Sequence, residues 1–114
     1  MQIKKATWDD VNGTSLQGYV NVTYAQLKRV FGQEHSTGDG YKVDAEWMLK
    51  FEDGTVATIY NYKDGKNYCG ETGKAKTKIT DWHVGGRNPR ALELVEAVLG
   101  GRDPRALKQA VLAS

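Results

Sequence analysis

Two runs of alternating apolar and polar residues, joined through an Asp-Gly turn, constrain this chain more than any other feature. Val43, Ala45, Trp47, Leu49 and Phe51 alternate with Lys42, Asp44, Glu46, Met48 and Lys50. A side-chain period of two marks a half-buried antiparallel strand. Glu52-Asp53-Gly54-Thr55 follows, and Asp-Gly between two such runs is the strongest short-range hairpin signal. A two-residue turn there pairs Phe51 with Val56, Leu49 with Thr58 and Trp47 with Tyr60. The inward face is then Ala45, Trp47, Leu49, Phe51, Val56, Tyr60 and Tyr62. Met48 and Ile59 pair on the opposite face, so that side is not wholly wet either.

A helix is expected near residues 24–31. Thr23 and Gln26 form a capping-box pair, and Tyr24, Leu27, Val30 and Phe31 recur at helical spacing. Gly32 stands where a helix end wants a left-handed residue. Upstream, Thr7 caps a short turn through Val11, with Asp9 and Asp10 at the positive end of its dipole. Leu16, Gly18, Val20 and Val22 alternate with polar neighbours as a strand, where Gly18 marks a weak point or a bulge. Asp64-Gly65 is a second turn. Lys63 to Lys78 is a loop or edge rich in Gly, Lys and Thr, with a short strand at Asn67–Cys69. Ile79 to Val84 returns to strand character, and Gly38-Asp39-Gly40 is a flexible link.

The end of the chain carries a repeat. Gly85-Gly86-Arg87-Asn88-Pro89-Arg90-Ala91-Leu92 recurs as Gly100-Gly101-Arg102-Asp103-Pro104-Arg105-Ala106-Leu107. Each octet is a helix start, an Asn or Asp cap before Pro at the first helical position. The first helix presents Leu92, Val95, Val98 and Leu99, and the second Leu107, Val111 and Leu112. Together these patterns predict an α+β fold. An antiparallel meander or hairpin sheet is packed by one amphipathic helix and followed by a C-terminal helical hairpin. Residues 1–86 form the sheet domain, and 87–114 the hairpin, packed on it or on a partner copy.

Composition narrows the function classes. The chain of 114 residues holds three Trp and six Tyr, so a folded core is expected. No apolar run approaches a membrane span, and the N-terminus lacks the apolar core of a secretory signal. The single cysteine, Cys69, excludes an internal disulfide and fits a reducing compartment. A formal charge of +2 is far from that of a dedicated nucleic-acid binder.

The most suggestive chemistry lies at Asp81-Trp82-His83-Val84-Gly85-Gly86. In a strand, His83 points opposite Trp82 and alongside Asp81, which holds its tautomer. Trp82 stacks on a ligand ring, Gly85 and Gly86 leave room for it, and Arg87 and Arg90 with the helix start hold phosphate. The alternative is a core Trp82, a surface His83, and a solvated helix start whose arginines pair Glu93 or Glu96. Lys63, Lys66, Lys74, Lys76 and Lys78, interleaved with Tyr62 and Tyr68, either track a phosphate backbone or form a solvated loop. Cys69 with His83 and Asp81 lacks any nucleophile signature, and no ligand spacing points to a metal. Neither a cofactor nor a catalytic residue is expected.

Several runs, taken in order, resemble a family of small uncharacterised bacteriophage proteins. They are Asn12-Gly13-Thr14-Ser15, Thr23-Tyr24-Ala25-Gln26-Leu27, Phe31-Gly32, Ala45-Glu46-Trp47, Phe51-Glu52-Asp53-Gly54-Thr55-Val56-Ala57-Thr58-Ile59-Tyr60 and Asp81-Trp82-His83-Val84-Gly85-Gly86. The resemblance implies a phage protein acting in the cytoplasm of a bacterial host. It implies a non-enzymatic binder that counters host defence or metabolism, taking a host protein or a nucleotide-like signal. The ligand site then comprises Trp82, His83, Gly85, Gly86, Arg87 and Arg90. Nucleic-acid binding through the lysine loop and arginine-bearing helix starts is the alternative. A homodimer through Leu92, Val95, Leu99, Leu107, Val111 and Leu112 is also expected, and no membrane partner.

Overall fold

The computed structural model describes residues 3–37 and 41–100. The second octet after Gly100 and its expected helix, and the Gly38-Asp39-Gly40 link, lie outside the described residues. The fold is α+β, on a five-stranded antiparallel sheet. Its strands are β1 (Lys4–Lys5), β2 (Ser15–Asn21), β3 (Glu46–Lys50), β4 (Val56–Tyr60) and β5 (Asp81–Gly86), in spatial order β1-β3-β4-β5-β2. The helices are α1 (Trp8–Val11), α2 (Tyr24–Phe31), α3 (Lys66–Cys69) and α4 (Arg90–Gly100).

Local chemistry sets the helix ends. Thr7 and Asp10 make a reciprocal capping box on α1, and Thr23 and Gln26 make one on α2, which Gly32 ends. On α4 the Asn88 side chain accepts from the Arg90 amide at 2.9 Å, so the octet does start a helix. Tyr24 and Leu27 of α2 pack with Ala91, Leu94, Val95 and Val98 of α4 against Val20, Trp47, Leu49, Ala57, Ile59, Trp82 and Val84 of the sheet. Trp47 and Trp82 meet edge to face at 5.6 Å. The reverse face is half covered. There Met48, Val56 and Ala6 form a small second core against Val11.

The hairpin departs from expectation by one residue. Phe51 donates to the Thr55 carbonyl at 2.9 Å, and Gly54 donates to the Phe51 carbonyl at 3.0 Å. Gly54 has φ +87°, a left-handed conformation that glycine adopts without strain. The loop therefore holds three residues and a glycine bulge instead of two. Lys50 faces Val56, Leu49 faces Ala57, Trp47 faces Ile59 and Glu46 faces Tyr60. A slip of one exchanges faces. Ile59 and Ala57 enter the core, Val56 moves beneath α1, and Tyr60 and Tyr62 turn outward.

Two further expectations are corrected. The β2–β5 register shifts between Leu16 and Gly18, so Leu16 sits opposite Gly85 on the outer face and is exposed. Residues Asn67–Cys69 belong to α3 and not to a strand. The cause is the fully buried Asn61. Its Oδ1 accepts from the amides of Asp44 (2.7 Å) and Ala45 (3.1 Å), and its Nδ2 donates to Asp44 Oδ1 (2.9 Å) and Asp64 Oδ1 (3.0 Å). Asp44 Oδ2 then accepts from the Asn67 amide, placing a carboxylate at the start of α3.

The two sheet edges differ. β1 is two lysines long, whereas β2 runs for seven residues, Ser-Leu-Gln-Gly-Tyr-Val-Asn, without a charge or a proline. Short, charged strands blunt an edge, and β2 is neither, its one irregularity being the register shift between Leu16 and Gly18.

Candidate functional site

The six residues expected to bind a ligand do not converge on one surface. Trp82 is fully buried, its indole nitrogen donating to the Ile79 carbonyl at 3.2 Å, so no ligand reaches its ring. Gly85 and Gly86 leave no open room. A Cβ on Gly85 would stand 2.5 Å from Thr58 Oγ1, and one on Gly86 would stand 2.3 Å from the Ala91 Cβ. The glycines let Thr58 and α4 approach the strand. Arg87 reaches back to the Asp10 and Asn12 carbonyls at 2.6 and 3.1 Å, which neutralises the C-terminal end of α1. Arg90 pairs with Asp53 at 3.4 Å, tying α4 to the hairpin loop.

The lysine loop is partly tied down as well. Lys76 bonds Glu34 at 2.8 Å and lies over the Tyr24 ring at 5.2 Å, while Tyr24 donates to Glu34 at 2.6 Å. Burial pushes the Glu34 carboxyl up, but the bonds from Lys76 and Tyr24 outweigh it and hold that group below the usual range. Lys76 is raised in return, chiefly by the hydrogen bond to Glu34. The Cys69 thiol is exposed and donates to the Lys63 carbonyl. Among the described residues no group of three or more His, Cys, Asp or Glu is placed to hold a metal ion, and no helix is long and apolar enough to cross a membrane. Of the apolar residues expected at a dimer contact, Val95 is in the core and Leu92 and Leu99 pack against it. Leu107, Val111 and Leu112 lie outside the described residues.

The half of the outer sheet face that no described element covers carries a different cluster. Tyr19 on β2, His83 on β5, Tyr60 on β4 and Glu46 on β3 stand opposite one another in one row across the strands. His83 meets Tyr19 edge-on at 4.8 Å, stacks on Tyr60 at 5.4 Å and touches Tyr62 at 5.7 Å. Burial raises the Tyr60 hydroxyl, and Glu46, Tyr19 and Tyr62 add to the shift, so these polar tips share one neighbourhood. Tyr19 is 55% exposed and Tyr62 40%. Asp81 does not hold the His83 tautomer. The His83 Nδ1 is buried among its neighbours with no hydrogen-bond partner. Beyond Tyr62, Lys63 lies 5.3 Å from the Tyr62 ring centre and 5.5 Å from that of Tyr68, which in turn contacts Tyr41 at 5.1 Å.

Sequence reasoning missed Tyr19 and Tyr60, and it placed Tyr62 with the lysine loop instead of beside His83. The expected register buried Tyr60 and Tyr62, and Tyr19 passed as an ordinary outward strand residue. The available signal was the outward parity of Tyr19 and His83 in their strands, combined with a three-residue reading of Glu52-Asp53-Gly54. Comparisons with protein-family models, with curated proteins and with solved structures gave no match.

Proposed function

We propose that this chain is a non-enzymatic, phage-encoded binding protein that acts inside the bacterial host by docking a host protein on its open tyrosine face. One observation carries this reading: Tyr19, Tyr60, Tyr62 and His83 form a contiguous aromatic surface on the sheet, uncovered among the described residues and beside the part that α1 protects. Tyrosine supplies large contact area at low entropy cost and is enriched at protein interfaces. A host protein suits this face better than a nucleotide-like signal. Arg87 and Arg90, the cations expected to hold a phosphate, are engaged within the chain and away from these rings.

A photoreactive benzophenone side chain placed at position 19, and separately at position 71 on the exposed loop, tests the reading in bacterial extract. One discrete adduct from position 19, lost when Tyr62→Ala and His83→Ala are added, is expected. Identical adducts from both positions, or none from position 19, would overturn it.

A further inference from the structure

We propose that residues 101–114 of this chain dock in the groove between β2 and the last turn of α4. This docking is independent of what the tyrosine face binds. The groove is open, measures about 290 Å³, and is lined by Tyr19, Val20 and Val22 from β2 and its end, and by Glu96, Leu99 and Gly100 from α4. Its apolar wall belongs to a longer flank of the helix. A Cβ on Gly18 of β2 would stand 2.5 Å from Leu92 Cδ2, so Leu92 faces the edge strand. Leu99 follows about two turns further along the same side of α4. The described residues bury Leu94, Val95 and Val98 of that helix but cover Leu92 and Leu99 only in part.

The chain itself supplies the occupant. Gly100 is the last described residue and already lines the groove, so residue 101 starts there. Gly100-Gly101 permits the reversal that a helical hairpin needs. Behind the Asp103-Pro104 helix start, Leu107, Val111 and Leu112 recur at helical spacing as an apolar stripe. Arg102, Arg105 and Lys108 outnumber Asp103, which suits the exposed Glu96 carboxylate at the groove. A segment tethered at its own site has an effective concentration on the order of millimolar, which a second copy or a separate partner does not reach in dilute solution. Seated there, the segment stands beside the β2 edge, and pairing of that edge with a second copy requires its release.

The test uses the full chain and methyl NMR. Val20, Val22 and Leu99 report the groove, and Ala6, Met48 and Val56 report the small core beneath α1 on the far face. Leu107→Asp combined with Val111→Asp is expected to shift the groove methyls and leave the far-face methyls in place. A nitroxide at Ala113→Cys, in a Cys69→Ser background, then separates one chain from two. Within a single chain it is expected to broaden the Val20 and Val22 signals, and the two Asp substitutions are expected to reduce that broadening several-fold. In a mixture of nitroxide-bearing chains without isotope and isotope-labelled chains without nitroxide, the groove signals are expected to stay sharp. Groove methyls that ignore the Asp substitutions, or broadening that those substitutions leave unchanged, would overturn the inference. Equal broadening in the mixture would overturn it too, by giving the groove to the segment of a second copy.

Discussion

Asn61 shows how much a single buried amide organises. Each of its side-chain polar atoms has partners, and through Asp44 and Asp64 it ties the start of the loop that follows β4 to the segment before β3. Replacing it with alanine strands the amides of Asp44 and Ala45 and leaves two carboxylates without their donor. Unsatisfied buried groups cost about 1–3 kcal/mol each, so Asn61→Ala is expected to lower stability by about 2–4 kcal/mol. Hydrogen exchange locates the effect. Amides of residues 63–74 should exchange faster by more than those of α4, whereas an equal loss of protection throughout would mean that Asn61 is only a packing residue.

At the scale of elements, legibility tracked whether the determining signal was local. α2 was readable to its ends because Thr23, Gln26 and Gly32 act within one turn of the residues they cap. Thr23→Ala is therefore expected to cost about 1 kcal/mol, seen as a lower denaturant midpoint with unchanged slope, and Thr23→Asp to restore most of it. The hairpin existed in the pattern, but its register did not. Alternation within β3 and β4 is satisfied by either pairing, and the choice lies in one left-handed glycine, Gly54, whose conformation no periodicity records. α3 was misread because its start depends on Asp44, distant along the chain. The candidate site inherited these limits. The outward direction of His83 was legible from strand parity, whereas the tyrosines beside it depended on the register. Gly85, Arg87 and Arg90 looked available because their partners Thr58, Asp10, Asn12 and Asp53 are remote in sequence, and Trp82 because α2 and β3, which bury it, are remote as well.

The whole molecule responds to pH through groups that tie its parts together. His35 fills the gap on the β3 edge between β1 and the Ser36–Glu46 bridge, its Nδ1 accepting from the Met48 amide at 2.9 Å. Burial, reinforced by the Lys5 ammonium, holds His35 below the ordinary histidine value of 6.5. A depressed folded value means that the unfolded chain binds the proton more readily. This contribution is present above 6.5 and fades as pH falls through the folded value. Glu34, depressed from 4.5, follows the same sign at lower pH. Lys76, raised from 10.5, contributes below that value and is lost as pH rises through its folded value. The melting temperature is therefore expected to hold through neutral pH and fall in two acid stages. His35→Gln, which keeps an acceptor that does not titrate, is expected to remove the upper stage and leave the lower one. An unchanged upper stage in that variant would assign it to another group.

The unequal edges of the sheet give the molecule a direction. Addition of a strand is disfavoured at the two-lysine end and open at β2. A filament needs two receptive ends on every copy, and among the described residues there is one. Edge pairing between copies is thus limited to β2 against β2, which consumes both open ends at once and stops at a pair. The same asymmetry that puts a long strand at one edge also terminates the growth that such an edge invites.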